Sequence, residues 1–417
     1  MRTDWDVIVV GGGLAGLAAA ATARQQDARV VLLEAHGPGG RARTVAKEGF
    51  TLNMGAHALY VGGDGWRALR ALGITPTGAA PPLGRYRALT GGTHHLLPTG
   101  PLSLLRTDVL SSRSKVQLLS LLGRVPRISA ATLATTSVLD WLKSCRLRPD
   151  ADAVVRAIIR LSTYSADVDE FSAGAAVAQL QLAAKGGVIY LHDGWAQLID
   201  ALADGVDIRA GTEVTAVDRV GDHLEIRTPQ GVMTARAVVV ATGAPPAIRR
   251  VLPVDPGWGD LGPPVTAACL DLGVDRVPEP GYLLSLDEPV YVNVQSPPAR
   301  QAPESQAVVA AIRYGARSAA EDRPQLERLV AEAGVRPEQV VTSRFLAKLS
   351  VSGTLPRATT GGLAGRPAIT DTGVPGVSMA GDWVGPVGLL ADAALASGRA
   401  AGALAGRQCV DSSTMVA

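Results

Sequence analysis

Residues 6–16, DVIVVGGGLAG, decide the fold of this chain. The apolar, β-branched run DVIVV predicts a buried strand, and LAGLAAAATARQQ, which begins at residue 14, predicts a helix directly after it. Gly11, Gly13 and Gly16 have G-x-G-x-x-G spacing. The first glycine permits a tight turn, the second lets the backbone approach a pyrophosphate, and the third lets helix and strand pack closely.

A second strand is predicted in ARVVLLEA, residues 28–35, and it ends at Glu34 and Ala35. A carboxylate about 20 residues after the glycines can hold ribose hydroxyls. Strand, glycines, helix, strand and acid therefore occur in the order of a dinucleotide site, with Leu14 and Ala15 opening the helix. The alternative is a glycine-rich loop in an unrelated α/β fold.

The length, charge and cysteine content of the chain exclude several classes of protein. A chain of 417 residues favours two domains, and 40 Lys and Arg against 38 Asp and Glu lack the basic excess of nucleic-acid binders. Cys145, Cys269 and Cys409 are too far apart to predict a disulfide framework or a metal site, so we expect a reducing cytoplasm. We expect no signal peptide, because the first residues lead directly into a strand, and no spanning helix, because no apolar run is long enough to cross a membrane.

The segment GPGGRART, residues 37–44, places a second glycine pair and Arg41 just after the adenosine site. Here the sequence resembles the FAD-dependent amine oxidase, protoporphyrinogen oxidase and phytoene desaturase superfamily, in which a G-G-R segment follows the ribose-binding glutamate. The resemblance implies non-covalently bound FAD, with Gly40 and Arg41 near its pyrophosphate. It also implies that GFTLNMGAHALY, residues 49–60, brings Gly55, Ala56 and His57 close to the flavin ring.

The resemblance continues in the middle and at the end of the chain. The segment 211–243 predicts a β-meander whose TEV turn and ATG end touch the cofactor in the family. AGDW, residues 380–383, resembles the desaturase branch, and the helix after it would aim its N-terminus at the flavin, where its dipole stabilises the reduced anion. The cofactor residues implied here are Val214, Ala241, Thr242, Gly243, Gly381, Asp382, Leu389 and Leu390.

We therefore expect an α/β fold with a discontinuous Rossmann-type FAD-binding domain in residues 1–75, 190–262 and 351–410. Residues 76–189 and 263–350 would form an α+β substrate-binding domain of mixed sheet and helical cap, and residues 411–417 a tail. Only one dinucleotide fingerprint is present, so electrons would leave the flavin for oxygen or a quinone rather than arrive from NADPH.

The substrate segments depart from amine oxidases. The strand PVTAACLDLGV, residues 264–274, has no lysine where those enzymes often carry one, and Leu390 stands where they tend to place an aromatic residue. These departures favour a dehydrogenase or desaturase that takes hydride from an apolar or secondary-metabolite substrate to flavin N5. An amine or amide oxidase that releases hydrogen peroxide, and a redox-neutral isomerase that needs reduced flavin, stay open as alternatives.

The catalytic residues are less well defined by the sequence. His57 and Tyr60 are the candidate bases, although a structural histidine bound to backbone is an equal alternative for His57. Arg85 and Tyr86, in GRYRAL, could bind a substrate carboxylate or face solvent.

The leucine-rich segment from Leu105 to Ile128 carries four arginines and Lys115 against Asp108 alone. It fits a peripheral membrane contact or, as we favour, a cap helix with its charges in water. Homodimers are common in the family, but nothing in this sequence supports one.

Overall fold

A computed structural model describes residues 3–414 of the chain and the side chains of residues 3–409. Its first unit confirms the strand–helix–strand prediction. β1 (Trp5–Val10), α1 (Leu14–Arg24) and β2 (Val30–Glu34) follow one another, and β1 and β2 pair in parallel with Val7 opposite Val30. The strands are buried on both faces because helices cover a parallel sheet.

The other elements follow in chain order, first the strands and then the helices. The strands are β3 (Thr44–Lys47), β4 (Phe50–Asn53), β5 (Leu59–Tyr60), β6 (Gly78–Ala79), β7 (Arg87–Thr90), β8 (Thr93–Leu96), β9 (Val188–Leu191), β10 (Asp207–Ala210), β11 (Ala216–Val220), β12 (His223–Thr228), β13 (Gly231–Val240), β14 (Val265–Val274), β15 (Leu283–Ser285), β16 (Val290–Ser296), β17 (Ala307–Tyr314), β18 (Val340–Ser352) and β19 (Val377–Met379). The helices are α2 (Asp64–Ala71), α3 (Pro101–Arg106), α4 (Ser112–Arg124), α5 (Val138–Cys145), α6 (Pro149–Thr163), α7 (Ala173–Gly186), α8 (Ala196–Ala203), α9 (Pro245–Val251), α10 (Ala319–Glu332) and α11 (Leu390–Thr414).

The first sheet has the strand order β10-β2-β1-β13-β12-β11, and β19 also pairs with β13. Its antiparallel strands β11, β12 and β13 confirm the predicted meander. α11 packs directly against α1, since a Cβ on Gly398 would lie 2.2 Å from the Ala15 carbonyl oxygen. The glycine therefore lets the two helices approach closely, and it brings the end of the chain back to its beginning.

The second sheet has the order β18-β14-β17-β16-β15-β7-β8 and is mixed, because β15 and β7 run in parallel and the other pairs are antiparallel. α10 packs on β14, β16, β17 and β18. Helices α4, α5, α6 and α7 form a separate apolar cluster, the helical cap. The sheet and cap agree with the architecture expected for a substrate-binding region.

Some expectations need correction. Residues 411–414 continue α11, so the predicted tail from residue 411 is wrong for that part, and residues 415–417 lie outside the described residues. The segment 76–189 contains strands β6, β7 and β8 besides its predicted helices. The division into two discontinuous domains stays a prediction. None of the helices within residues 3–414 has both the length and the apolar character needed to cross a bilayer.

Candidate active site

A cavity of about 580 Å³ receives wall residues from both sheets and from α11. The ends of β1, β2 and β13 form one part of its wall. Another part is formed by the β4–β5 loop, by β18 and by the start of α11. The predicted residues that line it are Gly11, Gly13, Leu14, Ala15, Glu34, Gly40, Arg41, Ala56, His57, Tyr60, Ala241, Thr242, Gly243, Gly381, Asp382, Leu389 and Leu390.

The N-terminus of α1 opens into this cavity without a cap. Gly13 is its N-cap, no side chain accepts from the first-turn amides, and the first turn has no acid. Gly11 has φ of 106°, and a Cβ there would lie 2.5 Å from the Ala241 carbonyl oxygen. A Cβ on Gly13 would meet no protein atom within 4 Å. The free amides and the space beside Gly13 form a site for an anion.

Glu34 is held in place by backbone donors. Its Oε2 accepts a hydrogen bond from the Gly12 amide at 2.6 Å, and its Oε1 accepts one from the His36 amide at 2.8 Å. An ionised carboxylate has about four acceptor sites, so two remain for hydroxyl donors in the cavity. The side chain is 15% exposed, so Glu34 is oriented before any ligand binds.

Arg41 forms a two-pronged ion pair with Asp382. Nη1 donates to Oδ2 at 2.9 Å, and Nη2 donates to Oδ1 at 2.8 Å. Oδ2 also accepts from the Gly353 amide at 3.0 Å. Burial alone would raise the pKa of Asp382, but the Arg41 charge and these hydrogen bonds outweigh burial and hold it below its ordinary value.

The ion pair changes the role expected of Arg41. The sequence predicted a positive clamp for a pyrophosphate, and the guanidinium that would supply it is bound to Asp382 and, through Nη1, to the Val351 carbonyl oxygen at 2.8 Å. Arg43 also lines the cavity, and its exposed side chain has no acidic partner among the described residues. Arg43 is therefore the freer cation of the two.

His57 lies edge-on to Trp195, with 5.0 Å between the ring centroids. Its Nδ1 lies 3.0 Å from the Gly55 carbonyl oxygen. Burial lowers the pKa of His57, and hydrogen bonds to the backbone of Gly55 and Arg41 only partly oppose that effect. The ring is therefore neutral at pH 7 and is held by backbone, which agrees with the alternative that His57 is a structural histidine.

Two tyrosines lie in the same wall, and both hydroxyls are engaged. Tyr60 donates to the Ser162 carbonyl oxygen at 2.8 Å, and Tyr164 donates to the Ala56 carbonyl oxygen at 2.9 Å. Burial raises the pKa of Tyr60 to about 12 and that of Tyr164 well above its ordinary value. Both side chains are therefore neutral donors at physiological pH.

Three buried polar atoms of cavity-lining residues have no protein partner. They are Thr242 Oγ1, Trp195 Nε1 and Asp392 Oδ2. Asp392 Oδ1 accepts from the Gly65 amide at 2.7 Å, and burial raises the pKa of this carboxyl to about 6. Buried polar atoms are normally satisfied, so these atoms indicate a polar ligand in the cavity.

A family model described as flavin containing amine oxidoreductase matches residues 14–271. The chain belongs to this family. It is therefore an FAD-dependent oxidoreductase. Its cofactor fits the free amides at the start of α1, the oriented carboxylate of Glu34 and the unpartnered polar atoms of Thr242 and Trp195.

Curated relatives of this flavin-containing oxidoreductase match only a part of it. Mitochondrial protoporphyrinogen oxidase of Nicotiana tabacum and protoporphyrinogen oxidase 2 of Arabidopsis thaliana are each 34% identical over 116 residues. The matched segment is 27% of this chain and 23% of each relative's length. The activity of those enzymes is therefore not transferred to this chain.

Solved structures resemble the flavoprotein along nearly its whole length. Cyclohexylamine oxidase from Brevibacterium oxydans covers 97% of this chain and 99% of its own, at a TM-score of 0.75 and 18% identity. Putrescine oxidase bound to putrescine covers 98% and 99%, at a TM-score of 0.71 and 17% identity. At these identities the likeness shows a shared fold alone, and the phytoene desaturase branch stays a prediction.

Several predicted residues of the flavoprotein lie outside the cavity wall. Gly16 packs under the turn, where a Cβ would lie 1.8 Å from the Gly11 carbonyl oxygen. Gly55 packs against Cys269, and Ala35 follows Glu34 without lining the wall. The side chain of Val214, predicted to lie at the adenine, is buried in the core on the other face of the first sheet. Its segment still reaches the site, since the Thr212 amide donates to the Glu34 carbonyl oxygen at 2.9 Å.

The predicted substrate residues are also placed elsewhere. Arg85 is half-buried and pairs with Glu279 at 3.5 Å. Tyr86 is buried in the second sheet, where its hydroxyl lies 3.0 Å from that of Tyr190 and 3.3 Å from that of Tyr291. The structure does not bring either residue to the cavity, because Tyr86 faces the sheet core and Arg85 lies over the Tyr282 ring beside Glu279.

The cavity also contains residues that the sequence reasoning missed. Trp195, Tyr164, Leu349 and Asp392 come from four separate segments. Trp195 lies in YLHDGWAQLIDALA, residues 190–203, which is a further stretch that resembles the superfamily, so that resemblance could have suggested it. The other three have no local signal, since each reaches the wall only through the packing of a cap helix, a sheet strand or α11.

Proposed function

We propose that this enzyme dehydrogenates or desaturates an uncharged, largely apolar substrate. The observation that carries the proposal is the wall formed by Ala56, Leu349, Leu389 and Leu390. These side chains have no polar atoms, and the histidine and tyrosines beside them are held neutral. Such a wall favours an apolar reacting group and excludes water from it.

The absence of a lysine from the cavity wall supports the same proposed function. Within the described residues no lysine lines the wall. Lys348 is next to Leu349 on β18, but its side chain is exposed. The lysine that the resemblance implies for amine oxidases therefore has no counterpart in this wall.

The chain's own residues would bind the cofactor and orient the substrate. The amides at the start of α1 would hold the pyrophosphate, Glu34 would accept from ribose hydroxyls, and Thr242 and Trp195 would complete the polar contacts. Bound FAD would supply the two-electron acceptor that the protein lacks. The N-terminus of α11 would stabilise negative charge at the flavin, since Leu389 and Leu390 place it in the wall.

His57 and Tyr60 act, in this proposal, mainly by position. The ring of His57 is held by backbone and by Trp195, which fixes the loop that carries Ala56. Tyr60 links that loop to α6 through Ser162. Rigid walls of this kind raise the rate by restricting the bound geometry.

An absorption spectrum of the purified protein, photoreduced without air and then mixed with oxygen, tests the proposal. We expect bound flavin that reoxidises slowly in air and faster with a quinone. A protein that never shows flavin absorbance would overturn the assignment. Rapid reoxidation by oxygen would instead make it an oxidase.

A second candidate is an amine oxidase that releases hydrogen peroxide. It is favoured by three aromatic rings in the wall, those of Tyr60, Tyr164 and Trp195, because such rings attract cationic amines. Hydrogen peroxide that forms with primary and secondary amines, and does not form with apolar alkenes or alkanes, would select this candidate.

A location in the cytoplasm, expected from the three separate cysteines, stays a prediction.

A further inference from the structure

Helix α4 has two apolar faces, whereas an ordinary surface helix has one. Leu118 and Leu121 are buried in the helical cap, at 0% and 2% exposure. Val116, Leu119 and Leu122 point away from it and are 68%, 58% and 45% exposed. The second face therefore lacks any partner within the described chain.

The neighbouring helix α3 extends this face. Leu102 and Leu105 are 58% and 72% exposed, and the Leu105 carbonyl oxygen accepts a hydrogen bond from Lys115 Nζ on α4 at 2.8 Å. We call the five side chains the apolar patch: Leu102, Leu105, Val116, Leu119 and Leu122. Single exposed apolar residues are normal, but five within 21 positions on two adjoining helices indicate an interaction surface.

Cations without acidic partners surround the apolar patch. Arg106, Arg113, Lys115, Arg124 and Arg127 lie on the same segment, and none forms an ion pair with another described residue. Lys115, Arg124 and Arg127 donate only to backbone carbonyl oxygens. Asp108 is the single acid of residues 101–128, and its Oδ1 lies 2.8 Å from Nδ1 of His95.

We propose that the apolar patch and these cations form a docking surface for an anionic lipid bilayer. Exposed leucines on one face with arginines and a lysine around them fit a helix that lies in the membrane interface. Unpaired cations complement anionic headgroups, and no acid among residues 101–128 is left free to oppose them. The proposal rests on this surface alone and does not depend on the proposed reaction.

Sedimentation of the full-length, flavin-loaded protein with lipid vesicles tests the docking surface. The vesicles contain either phosphatidylcholine alone or phosphatidylcholine with phosphatidylglycerol. One variant replaces apolar side chains (Leu105→Ser, Val116→Ser, Leu119→Ser), and another replaces cations (Arg113→Gln, Lys115→Gln, Arg124→Gln, Arg127→Gln). Matched controls, Val232→Ser with Val254→Ser and Arg323→Gln with Arg328→Gln, change side chains outside the docking surface.

We expect the wild type and both controls to bind the anionic vesicles, and binding to weaken with added salt. Each docking-surface variant should lose affinity by at least about a hundredfold, because four interfacial cations, at about 1 kcal/mol each, or three inserted side chains are removed. Circular dichroism and flavin absorbance should be unchanged, since all substituted side chains are on the surface.

Two results would overturn the proposal. One is equal vesicle binding by the wild type, the surface variants and the controls, or no binding by any of them. The other is a concentration-dependent dimer that only the Leu105→Ser, Val116→Ser, Leu119→Ser variant abolishes, without vesicle binding. That second result would assign the apolar patch to a second copy of the chain.

Discussion

Arg41, in the turn after β2, and Asp382, after β19, are joined by two hydrogen bonds across 341 positions of the chain. Asp382 is 2% exposed and Arg41 37% exposed. The pair ties the glycine-rich front of the chain to the segment that leads into α11. It therefore closes the cavity between the two ends of the chain.

Replacing Arg41 by methionine should destabilise the fold, because Asp382 would remain buried without its counter-ion. We expect a loss of about 2–3 kcal/mol in the free energy of unfolding, below the value for a fully buried pair since Arg41 is partly exposed. Urea unfolding of the flavin-free protein measures it. Arg323→Met, which breaks the exposed pair with Glu327, should cost at most about 0.5 kcal/mol.

The Arg41 effect should also depend on pH. The folded pKa of Asp382 is lowered, so its stabilising contribution is present above pH of about 4 and is lost as the pH falls through the folded value. The stability difference between wild type and Arg41→Met should therefore shrink in acid. A difference that grows in acid would contradict this account of the pair.

Two glycines of the G-x-G-x-x-G motif, Gly13 and Gly16, should respond differently to substitution by alanine. Gly16→Ala places a Cβ against the Gly11 carbonyl oxygen and should destabilise the flavin-free protein by about 1–3 kcal/mol. Gly13→Ala meets no protein atom, so it should unfold like the wild type but bind FAD about tenfold more weakly. Urea unfolding and flavin titration separate the two effects. Equal flavin affinity in Gly13→Ala would show that no cofactor approaches that residue.

Asp392→Asn should remove a pH dependence of stability. Burial raises the pKa of Asp392 to about 6, so the folded state keeps its proton between about pH 4 and 6 while the unfolded state loses it. Wild-type stability should fall by about 2–3 kcal/mol relative to Asp392→Asn over that interval and then level off. The asparagine oxygen can still accept from Gly65. Parallel stability curves from pH 4 to 7 would refute the raised pKa.

His57→Gln and Tyr60→Phe test whether these residues act by position. Tyr60→Phe should cost about 1 kcal/mol of stability through the lost Ser162 hydrogen bond and lower the rate of flavin reduction only slightly, since the ring that fills the wall is kept. His57→Gln should lower that rate by about tenfold to a hundredfold. Because burial lowers the pKa of His57, the wild-type rate should show no step near pH 6.5. A step there that His57→Gln abolishes would assign it as a general base.

The sequence by itself determined the nucleotide-binding front of this protein. Consecutive residues carry that information, because Gly11 needs a positive φ, Gly16 needs a missing Cβ, and a helix start follows directly. Glu34 is likewise fixed by its place at the end of a buried strand. The family resemblance added the Arg41 and Asp382 segments but not their pairing.

Only the tertiary structure decided the rest of the cavity. Leu349 lines it while its neighbour Lys348 is exposed, because the pairing of β18 in the sheet sets which side chain faces inward. The sequence made Tyr86 a candidate for binding substrate, yet the same sheet buries its hydroxyl beside that of Tyr190. Side-chain direction depends on how distant segments pack, and no local pattern in the chain encodes that packing.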